Sequence, residues 1–417
     1  GATSPFPTAY PFDGDIYRAQ VFNEIDGTTP VVDFTAGSYV SGSTLVSSTS
    51  GETWTLRGSA SIFQPPVDES GPFGYLAEKA STNLVVRSED FTISWVGPAA
   101  TAQNSIGPDG VANSATTFTD ASTTTVDDKK TSLTIPNNSA TYTVSVFIKK
   151  TAGATIEAGI LFYMSGGSNL NTAICINTNT GAVVKRSSTL TPLSITSESY
   201  LDFWRVSFTQ ANDSSGNTSA NVWLIPAMCA IGAATYDPTQ VGSNVFYGAQ
   251  LEQSTYPTSY IATTTTAVTR NADVLTAGDM VTDAAGSAYA EASSIWTTLG
   301  SGSAYVLDRD SGGSGRILYR NQGAANQMFV YDGSGASVIT ADPSYYNRPA
   351  PFASTWGNNL VVYKDGVSGN ITSYDGTMGV GNLGIGSTQS GYSTWDGTVR
   401  EVKIFDSELT AEEVGDL

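Results

Sequence analysis

Trp395-Asp-Gly-Thr-Val-Arg-Glu-Val-Lys-Ile-Phe-Asp406 decides the reading of this chain, because the pattern occurs twice. Phe12-Asp-Gly-Asp-Ile-Tyr-Arg-Ala-Gln-Val-Phe-Asn23 aligns with it without gaps. Each copy opens on an aromatic-Asp-Gly turn. A strand-like run follows, in which Ile16, Ala19 and Val21 match Val399, Val402 and Ile404 in character. The later copy has a whole domain before it and the earlier one only eleven residues. Residues 1–25 are therefore expected to be the last strand of a truncated upstream domain, or a strand completed by a neighbour.

Working outward, helical periodicity is nearly absent. Tyr142–Lys149, Phe203–Phe208, Asn358–Tyr363 and Val399–Phe405 alternate apolar and polar residues. Turn signals such as Gly110, Asn179-Thr-Gly181, Asp332-Gly333 and Asp365-Gly366 separate such runs. Short strands spaced by turns predict an all-β chain of tandem sandwich or jelly-roll domains. Thr410-Ala-Glu-Glu413 matches a capping box and predicts one short C-terminal helical turn. Pro65-Pro66 to Pro72 and Thr263–Thr266 read as links. They divide the chain into a closing strand and meander over 1–64, a long unit over 75–262 and a last unit over 272–417.

The 417 residues contain no histidine, which excludes Ser-His-Asp and Cys-His relays and histidine-ligated metals. Carboxylates, tyrosine and lysine remain for catalysis. The only catalytic-looking string is Glu24-Ile25-Asp26. It lacks the third carboxylate of a Glu-x-Asp-x-Glu set, Thr28 standing in that place, so no enzyme is expected. A net charge of −19 repels phosphate backbones and anionic membranes, and no apolar run is long enough for a membrane span. Nucleic acid and membrane insertion are thus set aside in favour of neutral glycans, cations or other proteins. Residues 272–417 carry 7 basic and 17 acidic side chains, so the charge is densest there. The two cysteines, Cys175 and Cys229, lie in apolar strand-like runs and are expected as buried free thiols.

Three stretches resemble phage virion proteins of the tail-fibre, head-fibre and spike type. They are Tyr75-Leu-Ala-Glu-Lys-Ala-Ser-Thr-Asn-Leu84 with Ser88-Glu-Asp-Phe91, then Phe203-Trp-Arg-Val-Ser-Phe208. The third is Phe246-Tyr-Gly-Ala-Gln-Leu-Glu252 with Tyr256-Pro-Thr-Ser-Tyr-Ile261. In that family they belong to a jelly roll similar to carbohydrate-binding modules. Val361-Val-Tyr-Lys-Asp-Gly-Val367, Leu383-Gly-Ile-Gly386 and the Trp395–Phe405 run resemble a concanavalin A-like, laminin-G-like sandwich. The resemblance implies a place on the virion surface, outside the cell. It implies contacts with other virion proteins and recognition of a host cell-surface glycan, with avidity supplied by a homo-oligomer, a trimer being favoured. A structural cement protein, a depolymerase and a bacterial secreted adhesin stand as alternatives.

Sugar rings offer an apolar C–H face to aromatics while polar side chains read hydroxyls. Tyr345, Tyr346, Trp356, Tyr392 and Trp395 lie among Gly, Pro, Ser and Asn and are the candidate glycan-binding aromatics, with Arg309 beside them for an acidic sugar. Trp95, Trp204 and Trp223 sit in apolar runs and are expected in the core. Calcium is the candidate metal, since carboxylates and carbonyls suffice for it. In the related jelly rolls an acidic turn after the first strand clamps a structural ion, which nominates Glu89 and Asp90. Asp308 and Asp310, with Asp332, form the acidic set of the last domain.

Overall fold

The computed structural model describes the strands of residues 18–21, 32–35, 44–46 and 53–55. It then describes residues 74–417 apart from 190, 234–235, 280, 282, 296–302, 310–319, 323–326, 341–348 and 379–380. The chain divides into two compact units, Gly1–Glu69 and Ser70–Leu417.

In the first unit Arg18–Val21 pairs antiparallel with Val32–Thr35, Val21 facing Val32. Thr44–Val46 pairs antiparallel with Thr53–Thr55. Glu24, Ile25 and Asp26 lie outside the described residues.

The second unit holds two β lobes. In the first, a six-stranded sheet runs Ser194–Tyr200, Phe203–Ala211, Thr141–Lys149, Gly242–Glu252, Ala115–Asp120, Ala100–Ser105. A five-stranded sheet runs Val183–Ser188, Leu170–Ile176, Ile156–Ser165, Ser219–Ala230, Lys129–Thr134. Alternation explains the layering: Val144, Val146 and Ile148 point inward with Val206, Phe208, Phe246 and Leu251, meeting Ile160, Phe162, Ile174 and Val222 from the other sheet. Thr143, Ser145 and Phe147 take the opposite face.

The second lobe centres on the sheet Val367–Ser368, Asn359–Lys364, Ala350–Trp356, Gly286–Ser294, Gly397–Phe405 and Tyr75–Ala77. Its core joins Ala288, Ala290, Phe352, Val362, Met378 and Trp395. The capping box at Thr410 and Glu413 starts a helical turn over Ala411–Gly415, as expected.

The structure reassigns one stretch. Tyr75–Ala77 does not open the jelly roll; it pairs with Gly397–Val399 of the last lobe. The jelly roll is instead closed by Ser81–Asn83 against Val268–Arg270. The quoted motif thus staples the two lobes, and its polar residues do the stapling. Buried Asn83 donates to the Ala249 and Ile261 carbonyls and accepts from the Val85 and Leu251 amides. Glu252 accepts from Ser81 Oγ and from the Thr258 amide and hydroxyl. Glu78 pairs with Arg270 at 3.1 Å and accepts from the Ser259 amide at 2.7 Å. These motif residues are consumed by folding, because a buried polar atom needs a partner.

Candidate functional site

On the outward face of the six-stranded sheet, one rung crosses four strands. Glu198 stands opposite Arg205, Arg205 opposite Phe147, and Phe147 opposite Tyr247. Three strand spacings make this rung ~14 Å long. Core alternation sends all four side chains away from the core. The rung becomes a cleft through a bulge: register shifts between Ser145 and Phe147, where Gly248 takes a φ of +62°. A Cβ on Gly248 would lie 3.0 Å from the Phe147 ring and 3.1 Å from the Tyr260 ring. Glycine therefore supplies both the backbone conformation and the room for the rings.

The Tyr256–Ile261 segment then folds back over this face. Thr143 Oγ1 donates to the Ser254 carbonyl, and the Ile261 amide donates to Gln250 Oε1. Tyr260 is delivered against Phe147, centroids 5.9 Å apart at 86°, and against Tyr247 at 5.6 Å. Tyr200 adds a third edge contact to Phe147 at 5.3 Å. The resulting cleft of about 510 Å³ is lined by Phe147, Tyr200, Tyr247, Tyr260, Arg205, Glu198 and Asp109, among others.

Its polar groups are held and aimed. Tyr247 donates to Glu89 Oε1 at 2.9 Å, with Asp109 Oδ2 at 3.4 Å. Burial, then the bond to Glu89, pushes the Tyr247 pKa up, so its hydroxyl stays a donor. Tyr260 is pushed up by burial and shares a bond with Ser88 Oγ. Arg205 Nη2 donates to the Thr258 carbonyl and to Ser145 Oγ, and its guanidinium lies 5.5 Å from the Phe147 centroid. Burial lowers its pKa, opposed by the nearby Glu252, Glu198 and Glu78. Arg205 Nε has no acceptor among the described residues.

The residues singled out from sequence fall elsewhere. Trp356 and Trp395 are corrected: both are fully buried, Trp395 donating its indole N–H to the Ser293 carbonyl, and neither can meet a sugar. Arg309 is corrected as well. It is 2% exposed, and its guanidinium is held by Asp279 at 2.7 Å and Asp283 at 3.6 Å. Tyr392 is 74% exposed and stays a surface aromatic, on the last lobe and outside the cleft lining. Tyr345, Tyr346 and Asp310 lie outside the described residues.

Among the acids, Glu89 serves Tyr247, and Asp90 accepts from the amide and hydroxyl of Thr92 as a turn aspartate. Asp308 is buried; Asp332 accepts the amides of Ser334, Gly335 and Asp375. None belongs to a three-residue metal-sized set among the described residues; the one such set is Glu157, Cys175 and Cys229. Trp95 is core, Trp204 packs half-buried against it, and Trp223 turns outward beneath Lys130 Nζ, 4.3 Å from its ring centroid.

The cleft residues lie in alternating runs, on the side opposite their core partners. The usable signal was the other half of the alternation, Phe147, Arg205 and Tyr247 on three runs at polar-face positions.

No protein-family model matches the chain, and no curated protein matches it. Among solved structures it is similar to the full extracellular region of zebrafish Gpr126/Adgrg6, at 11% identity and TM-score 0.27, over 72% of this chain and 37% of that one. Mouse laminin α1 domains LG4-5 align at 11% and 0.23, over 69% and 88%. Trypanosoma rangeli sialidase in complex with sialic acid aligns at 10% and 0.26, over 72% and 59%. The chain spans little more than a third of the first of these. Likeness at this level leaves function to be argued from the chain's own residues.

Proposed function

We propose that the chain is a non-catalytic glycan-binding adhesin whose ligand lies in the Phe147–Tyr247–Tyr260 cleft. The observation that carries this is the outward rung Glu198–Arg205–Phe147–Tyr247. Buried Phe147 and Tyr247 back the half-buried Tyr200 and Tyr260 rings, which are left for a pyranose face beside the Arg205 guanidinium and carboxylates that accept from hydroxyls. Glu198, Asp109 and Glu89 outnumber Arg205 around the cleft, which favours a neutral oligosaccharide over an anionic one. Stacking of this kind needs no cofactor. No helix among the described residues is long and apolar enough to cross a membrane.

The resemblance of the Tyr75–Leu84, Phe203–Phe208 and Phe246–Ile261 motifs to phage fibre and spike proteins supports a place on a virion surface. There a homo-oligomer would add avidity to individually weak sites. Isothermal titration with neutral oligosaccharides of host cell-surface type tests the reading. Heat that saturates and disappears in Phe147→Ala and Arg205→Gln supports it. Absence of binding by every oligomeric form overturns it.

A further inference from the structure

The other sheet of the jelly roll carries a second, chemically distinct constellation. Cys175 and Cys229 lie on the two strands flanking Ile156–Ser165, opposite Gly159 and Glu157 respectively. Their sulfurs are 3.3 Å apart, and Cys229 Sγ is 3.1 Å from Glu157 Oε2. All three side chains are buried, at 0–4% exposure. Arg186, itself buried, pairs with Glu157 and donates to the Ala233 carbonyl. Apolar Ile225, Met228 and Val126 close around them.

Both cysteines are free, their sulfurs well beyond the ~2.05 Å of a disulfide bond. Met228 packs over Gly159 on the intervening strand, where a Cβ would meet its Sδ at 2.3 Å. Two zinc–thiolate bonds of ~2.3 Å at a tetrahedral angle hold sulfurs about 3.7 Å apart, a small opening of the observed pair.

We infer that Cys175, Cys229 and Glu157 form a buried site for a thiophilic divalent cation of the zinc class. Two thiolates balance the cation, and Arg186 balances Glu157, so the loaded site is neutral, as burial demands. Arg186 also takes the place of the hydrogen-bonding partner that orients a ligating carboxylate. A solvent molecule completes the fourth position. Binding releases the two thiol protons.

The full chain, reduced and free of chelator, is titrated with Zn2+ or Cd2+ alone. One metal per chain after desalting is expected, with a cadmium–thiolate charge-transfer band that a chelator abolishes. Cys175→Ser or Cys229→Ser should lose the band, and Arg186→Gln should weaken binding roughly tenfold or more. Should the cysteine variants not fold, the band and its reversal in the natural chain decide. No band with substoichiometric metal, or an unfolded chain lacking two hydrogens by mass through a Cys175–Cys229 disulfide, overturns the site. The glycan cleft lies on the other sheet, and its titration is read separately.

Discussion

The Tyr247 hydroxyl lies 2.9 Å from Glu89 Oε1 and 3.4 Å from Asp109 Oδ2, so one proton serves two carboxylates at the wall of the cleft. Glu89 follows the Ser81–Asn83 strand, while Tyr247 sits on a central strand of the six-stranded sheet. The bond therefore ties an edge segment to the aromatic platform. Tyr247→Phe keeps the ring and leaves Glu89 without its donor. Urea denaturation should show a loss of about 1–2 kcal/mol, with sugar stacking retained.

Gly248 is the floor beneath the rings. Gly248→Ala imposes a positive φ on an L side chain and pushes a methyl toward Phe147 and Tyr260. Together these should cost roughly 1–3 kcal/mol and weaken glycan binding more than Tyr247→Phe does. Thermal unfolding and titration of the same preparation check both parts.

Asn83 fills its hydrogen-bonding capacity inside the jelly roll with two donations and two acceptances. Asn83→Ala leaves two carbonyls and two amides without this partner in a buried place. A destabilisation of about 3 kcal/mol or more is expected, larger than for any surface change in the cleft. Chemical denaturation of the purified variant measures it.

Asp396 joins the two lobes, accepting from the Lys79 amide, the Thr394 hydroxyl and the Tyr256 hydroxyl. Burial raises its carboxyl pKa above the ordinary 3.8, against the opposing pull of Tyr256 and Lys79. A carboxyl raised on folding binds more protons folded than unfolded. Its contribution is therefore fullest below the ordinary value and is lost as pH rises through the raised folded one. The difference in thermal midpoint between the natural chain and Asp396→Asn should shift in favour of the variant as pH rises across that interval. A pH-independent difference would contradict the assignment.

How much of this was legible in the sequence depends on the periodicity in question. Alternation along Tyr142–Lys149 and Phe203–Phe208 identifies strands and their inward residues directly, and Thr410 with Glu413 announces the helical turn. Pairing is another matter. Nothing local says that Tyr75–Ala77 leaves its own motif for Gly397–Val399, because the strand is short and its partner is far away in sequence. Trp356 and Trp395 misled for a related reason. Their Gly- and Asn-rich neighbours suggest exposed loops, yet both rings fill the sandwich core while the small residues make the turns around them. The cleft depended on register: Glu198, Arg205, Phe147 and Tyr247 share a rung only once four strands are aligned. The thiols likewise meet across a strand that belongs to neither, which the cysteine spacing does not reveal.

The central claim rests on Arg205, whose guanidinium lines the cleft 5.5 Å from the Phe147 ring centroid and whose Nη2 is held by the Thr258 carbonyl. The most direct measurement is titration of the folded chain and of Arg205→Lys with neutral oligosaccharides, beside thermal midpoints of both. Lysine keeps the charge and loses the planar fork. The account predicts saturable binding by the natural chain and about tenfold weaker binding by Arg205→Lys, a difference near 1.4 kcal/mol. Equal affinity of the two folded proteins, or no binding by either, would contradict it.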